Sequence, residues 1–251
     1  MQLHQPEGVP ALALTGERTL PDVPAENYWF RRHLLVYEWI AEQVDGLSVI
    51  DMACGEGYGC EVLSRHARTV IGVEANPEAY EHARLRYRRA NIAFECDLVE
   101  RFSARAEAIT FLQTIEHLRD PGPVLRHFSG LVGGEGAIYI STPNVRTLAP
   151  AGAERSDNPW HVHEYTAEEF AALCASHFTC VRMFGLFHAR KLRVHEVALR
   201  LGWDALHRRL GLTERFYAWF TPAISAADFR LKGSDEADLN RALDFVAVCR
   251  P

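Results

Sequence analysis

The residues richest in chemistry share one short turn. Asp51-Met-Ala-Cys-Gly55-Glu-Gly57-Tyr-Gly59 places three glycines at alternate positions. Glycine lets a backbone fold tightly and lets a ligand come where a β-carbon would stand. Further on, Glu74 closes the apolar run TVIGVE, where a carboxylate can accept both hydroxyls of a ribose. A dinucleotide turn reads G-x-G-x-x-G, whereas this one reads G-x-G-x-G with Asp51 ahead of it and Glu56 inside it. Those carboxylates repel a pyrophosphate and suit a ligand carrying an ammonium and a sulfonium. The turn is therefore read as a site for S-adenosylmethionine rather than NAD.

Methyl transfer from a sulfonium is an in-line displacement, helped most by holding acceptor, methyl and sulfur collinear. An alcohol acceptor must also shed a proton, and a histidine is the natural base. His117, in a segment read as the start of a helix, and His161, which shares NPWHVHEYTAEEF with His163, follow apolar runs. His117 and His161 are the candidate catalytic residues.

Such groups need a scaffold. From Ser48 the chain alternates short apolar runs (SVIDMAC, TVIGVE, IAFECD, EAITFLQT, AIYISTP) with helical stretches such as PEAYEHARLRYRRA and PGPVLRHFSGLV, the last stopped by Gly133-Gly134. TAEEFAALCASHF adds a helix, TCVRMFGLF a sixth strand and DFVAVCRP a seventh. This rhythm predicts an α/β fold: a doubly wound, mostly parallel, seven-stranded Rossmann-like sheet with ligands at the carboxyl ends of its strands. Residues 1–26 read as a loose tail and 27–251 as one domain, opening with a helix over 27–45. Residues 188–222 read as a basic helical insertion between the last two strands, either a solvated helix pair or a lid.

Composition bounds the function. The 251 residues are 48 % apolar and 24 % charged with a net charge of −6, which fits one soluble domain and disfavours bulk attraction to nucleic acid. No run approaches a spanning helix, the N-terminus lacks a secretory pattern, and the six cysteines include no C-x-x-C pair. A cytoplasmic location with reduced thiols is expected, and a homodimer is left open.

The motifs together resemble the class I S-adenosylmethionine-dependent methyltransferases. VIDMACGEGYG is similar to their first motif, VIGVEAN to their ribose-binding strand end, and GGEGAIYISTPN to their fifth-strand motif. CDL falls at their adenine contact and LQTIEHLRDP at their fourth-strand motif. The resemblance implies that Asp51 and the backbone at Ala53, Gly55 and Gly57 hold the methionine moiety. It implies Glu74, beside Ala75, for the ribose, Asp97 with Leu98 for adenine, and Gln113 and Thr114 at the methionyl end. Tyr28, in the cluster Tyr28-Trp29-Phe30-Arg31-Arg32-His33, is expected to cover the cofactor.

Some small-RNA 2′-O-methyltransferases bind magnesium through E-x-x-E-H and a later histidine. This chain reads Gln113-x-x-Glu116-His117 with His161, so one carboxylate is missing and no metal is expected. The segments ALTGERTLPDVPAENYWFRRHLLVY, MFGLFHARKLR and DFVAVCRP resemble actinobacterial sugar 6-O-methyltransferases of methylglucose lipopolysaccharide synthesis. That resemblance implies a sugar or oligosaccharide acceptor. A small secondary metabolite, an RNA 2′-hydroxyl and a non-catalytic cofactor-binding role stand as alternatives.

Overall fold

The computed structural model describes residues 8–14, 16, 18–150 and 152–251. A first helix, α1 (Asn27–Gln43), leads into the alternation of β1 (Ser48–Met52), α2 (Tyr58–Leu63), β2 (Thr69–Val73), α3 (Pro77–Arg86) and β3 (Ile92–Glu95). Next come β4 (Ala106–Leu112), α4 (Gly122–Leu131), β5 (Val132–Pro143), a single turn α5 (Val145–Leu148), α6 (Ala167–Ala175) and β6 (Cys180–His188). The chain then runs through α7 (Arg190–Arg200), α8 (Trp203–Arg209) and α9 (Thr213–Phe220) to β7 (Phe229–Gly233) and β8 (Asp244–Arg250). Local signals explain several boundaries. Asn76 caps α3 by accepting from the amides of Glu78 and Ala79, with Pro77 in the first turn. Thr166 and Glu169 close a reciprocal capping box on α6.

All strands join one sheet in the order β3-β2-β1-β4-β5-β8-β6-β7. β1 pairs in parallel with β2 and β4, β2 with β3, and β4 with β5. β8 lies antiparallel between β5 and β6, and β7 runs antiparallel along β6. Strand period two sorts the core onto both faces. Ile50, Met52, Ile109, Phe111, Ile138, Ile140 and Phe245 pack with α4 and α6, while Val49, Ala108, Tyr139 and Val246 pack with α1 and α2. The fold is α/β, Rossmann-like and doubly wound.

Three expectations are corrected. The sheet has eight strands, not seven, because Phe229–Gly233 returns along β6 after residues 188–222. Gly133-Gly134 does not stop a helix: α4 ends at Leu131, and β5 runs through both glycines. The described part of 1–26 is no loose tail. Leu12, Leu20 and Val23 are buried against Ala79 of α3, and Asp22 pairs with Arg86 at 2.5 Å. Residues 1–7, 15 and 17 lie outside the described set.

An ion pair fixes α1 across the sheet. Arg32 donates Nε and Nη2 to the two carboxylate oxygens of Asp244, both at 2.6 Å, and Nη2 also reaches the Leu243 carbonyl at 2.7 Å. Both side chains are almost wholly buried. The bidentate geometry orients α1 relative to the start of β8.

Candidate functional site

A cavity of about 740 Å³ opens at the carboxyl ends of β1, β2, β4 and β5, beside the point where strand order reverses between β1 and β4. Ala53 and Gly55 line it from β1's turn, Glu74 from the end of β2, Gln113 and Thr114 from the end of β4, and His117 and His161 beyond. The structure thus brings seven of the expected site residues into one space.

The turn is built from backbone that few side chains tolerate. Ala53, Gly55 and Gly57 have φ of 59°, 59° and 96°. A β-carbon on Gly57 would stand 2.8 Å from Ala83 of α3, and one on Gly59 would stand 2.3 Å from the Tyr37 ring. Those two glycines serve packing. Gly55 differs: its β-carbon would meet only Arg18 Cβ, at 4.0 Å, so its bare face looks into the cavity. That face can receive a ligand. Glu74 holds the same glycine, accepting Gly55 N–H on Oε2 at 2.8 Å and Asn76 N–H on Oε1 at 2.9 Å. Each oxygen retains acceptor capacity for a hydroxyl.

Asp51 lies beneath the turn, fully buried and not among the lining residues. It accepts from Thr110 Oγ1 at 2.6 Å, from Tyr37 OH at 3.2 Å and from Cys60 Sγ at 3.4 Å. Burial raises its pKa to about 6 against these bonds, and Glu74 adds repulsion. Asp51, expected to grip the methionine moiety, braces the turn from beneath in this structure. Glu56 is also internally committed, to Arg86 at 2.8 Å, His82 at 3.1 Å and Tyr87 at 2.8 Å. Its charge is therefore compensated, which weakens its part in the argument against a pyrophosphate.

Gln113 takes a left-handed conformation at φ 51°, and its Nε2 donates to Ser141 Oγ at 3.1 Å. A strained non-glycine residue at a strand end marks a place where geometry is dictated by the site. Beyond it, Ile115–His117 forms one 3-10 turn rather than opening an α-helix. His117 donates Nδ1–H to the Trp160 carbonyl at 2.9 Å, so its neutral ring is the tautomer protonated on Nδ1. His161 stands edge-on to it with ring centroids 5.2 Å apart. It donates Nδ1–H to Glu164 at 2.7 Å and accepts Asn158 Nδ2 at 3.0 Å. Burial works the other way, yet Ser156 and His161 hold the Glu164 carboxyl below its ordinary range. The loop carrying Trp160 is also tied to Glu116, whose carbonyl accepts the amides of Val162 and His163. The Glu116 carboxyl is buried, accepts Thr142 Oγ1 at 3.2 Å, and is pushed up to about 8 by burial.

Glu116, His117 and His161 offer ligand atoms within 4.8 Å of one another. A cation there would have to displace Asn158 from His161 and a proton from Glu116.

Tyr28, Gly57, Ala75, Asp97 and Leu98 also fall outside the lining. Tyr28 turns toward the insertion and bonds His188 Nε2 at 2.8 Å, and Ala75 is exposed. Asp97 accepts the Leu98 N–H at 2.8 Å. From the same helix as Tyr28 it is Trp29, His33 and Tyr37 that face the cavity, together with Gly16, Arg18 and Thr19 from the N-terminal strap. Trp29, His33 and Tyr37 recur every fourth residue, a helical stripe visible in the sequence but not used. Burial lowers the pKa of His33 to about 4, with Arg32 adding to the effect against Asp244, so the ring is neutral. None of the lining residues comes from 188–222, so that insertion does not cover the cavity in this conformation.

Residues 26–188 match the family model described as a methyltransferase domain. A probable S-adenosylmethionine-dependent methyltransferase of Mycobacterium tuberculosis is 34% identical over 247 residues, 94% of this chain and 89% of the relative. A ubiquinone biosynthesis O-methyltransferase of Leptothrix cholodnii is 31% identical over 144 residues, covering 51% of this chain and 61% of that protein. Among solved structures, a methyltransferase of Thermotoga maritima described as a possible histamine N-methyltransferase superposes with a TM-score of 0.59 at 14% identity, covering 89% of this chain and 92% of that one.

Proposed function

The chain belongs to the S-adenosylmethionine-dependent methyltransferases, and from that premise we propose that it methylates a hydroxyl of a sugar or glycan, with His117 as base. The observation that carries the reading is the Nδ1–H bond of His117 to the Trp160 carbonyl, since in the neutral ring it makes Nε2 the basic nitrogen. S-adenosylmethionine supplies a methyl on a sulfonium, which needs only an aligned nucleophile. Glu74 would hold the ribose hydroxyls, and the open face of Gly55 with Gln113 and Thr114 would receive the methionyl end. The adenine amine would fall to Asp97, with Leu98 alongside, both beyond the residues that line the cavity. The acceptor oxygen would take the methyl as the sulfur–methyl bond breaks and S-adenosylhomocysteine leaves, and its proton would pass to Nε2 of His117. His161, Asn158 and Glu164 brace the loop that presents the Trp160 carbonyl.

The walls support a carbohydrate. Trp29 and Trp160 provide broad aromatic faces, and Arg18, Glu26, Ser156 and Asn158 provide polar groups suited to hydroxyl recognition. A hydroxyl of a small secondary metabolite is the second reading, favoured by the partial match to a ubiquinone biosynthesis O-methyltransferase. The reading is tested with S-adenosylmethionine labelled in its methyl group, offered with glucose oligosaccharides, catechols and histamine. Label on an oligosaccharide hydroxyl, abolished by His117→Ala while S-adenosylhomocysteine still binds, is the expected result. Label on the amine alone, or turnover unaffected by the variant, would overturn it.

A further inference from the structure

Charge and apolar exposure are both concentrated in one place outside the cavity. Residues 188–222 carry seven Lys/Arg against three Asp/Glu, whereas the remainder of the chain carries 20 against 30. Among the described residues, eight of the thirteen large exposed apolar side chains fall between Val194 and Trp219. The inward side is already satisfied. Leu192 and Phe220 enter the core beside α1, and Phe216 stacks with His195 at 5.7 Å and with His207 at 5.8 Å.

Helical spacing shows which face is left over. On α7 and its C-cap, Val194, Val197 and Leu201 follow i, i+3, i+7 and lie opposite the buried Leu192. Leu201 is 83% exposed, Trp219 72% and Val194 70%. Arg190, Arg193 and Arg200 border this stripe. Arg190, Arg193, Arg209 and Arg215 have no ion-pair partner among the described residues. Aliphatic and tryptophan side chains outward with arginines at their margin form the pattern of a helix lying in a lipid–water interface.

We infer that the outward face of α7, α8 and α9 docks on an anionic lipid surface. Charge selects this occupant over a second copy of the chain, because a twofold contact would set one net-positive face against another. No described helix is long and apolar enough to cross a membrane, so the contact is interfacial. The site lies next to the cavity: Asn27, at the start of α1, donates to the carbonyls of Thr221 and Ile224, and Trp29 two residues on lines the cavity. The inference holds whichever acceptor the cavity takes.

The test is co-sedimentation of the full chain with vesicles of phosphatidylcholine alone, or of phosphatidylcholine with about one third phosphatidylglycerol. Binding to the anionic vesicles only, weakened by raised salt, is expected. Arg193→Gln with Arg209→Gln should weaken it about fivefold per arginine. Leu201→Ser with Trp219→Ser should abolish it. Unchanged S-adenosylhomocysteine affinity in both variants shows that they are folded. Equal or no sedimentation with both vesicle types would overturn the inference. So would a dimer in light scattering that Leu201→Ser with Trp219→Ser converts to monomer, which would assign the face to a second copy.

Discussion

Glu116 offers a sharp test of the site's electrostatics. Its carboxyl is 1% exposed, and Thr142 is its one side-chain hydrogen-bond donor among the described residues. Burial raises its pKa from 4.5 to about 8. Between those values the folded chain keeps a proton that the unfolded chain releases, so stability is fully present below about pH 4.5 and is lost as pH rises toward 8. At about 1.4 kcal/mol per pH unit, the whole window amounts to roughly 3–6 kcal/mol. Glu116→Gln imitates the protonated group at every pH and removes that slope. Urea unfolding of both proteins at several pH values from about 5 to 8 isolates the effect, because other groups, including Asp51, cancel in the difference. The variant should match wild type within about 1 kcal/mol near pH 5 and exceed it by roughly 2–5 kcal/mol at pH 8. Parallel profiles, or a variant less stable at pH 8, would refute the reasoning.

Four further outcomes follow from the geometry. Glu74→Ala removes the acceptor for the Gly55 and Asn76 amides as well as for a ribose, so calorimetry should show S-adenosylhomocysteine binding weakened about 10- to 100-fold; a change under threefold would contradict the assignment. His117→Ala should lower kcat about 10²- to 10⁴-fold with cofactor affinity nearly unchanged, and a purely KM effect would remove its role as base. Asp244→Ala strands the buried Arg32 guanidinium and should lose about 3–5 kcal/mol in urea unfolding. Pairing Arg32→Met with Asp244→Leu should recover most of that loss. Dialysis against EDTA should leave methyl transfer unchanged; activity lost and then restored by a divalent ion would put a metal on Glu116, His117 and His161.

The parallel half of the sheet was legible because its strands are dense apolar runs separated by helical periodicity, and because the site residues sit at fixed offsets from strand ends. That is why Gly55, Glu74 and His117 line one cavity at the strand ends, whereas Gln113 was expected there from the family resemblance and not from spacing. β7 was not legible. Phe229–Gly233 is a five-residue edge strand with Arg230 and Lys232 in it, and its partner lies across a long helical excursion. The strap escaped notice for a related reason. Its three anchors, Leu12, Leu20 and Val23, follow no period, and what they pack against is set by tertiary contact alone. Asp51 was placed on the right turn, but spacing cannot tell a carboxylate facing a ligand from one held below by Tyr37, Cys60 and Thr110.

The strap and the glycine turn share an anchor. Pro10 accepts from His82 and Asp22 pairs with Arg86, while His82 and Arg86 both hold Glu56 inside the turn. Peeling the strap away would strip both side chains of their outer partners and leave Glu56 as the one ion-pair partner of Arg86 among the described residues. Opening the rim of the cavity and uncovering the side chains that brace its floor are therefore a single mechanical event. The family match begins at residue 26, so the methyltransferase domain as the family defines it lacks the strap that lines this rim with Gly16, Arg18 and Thr19.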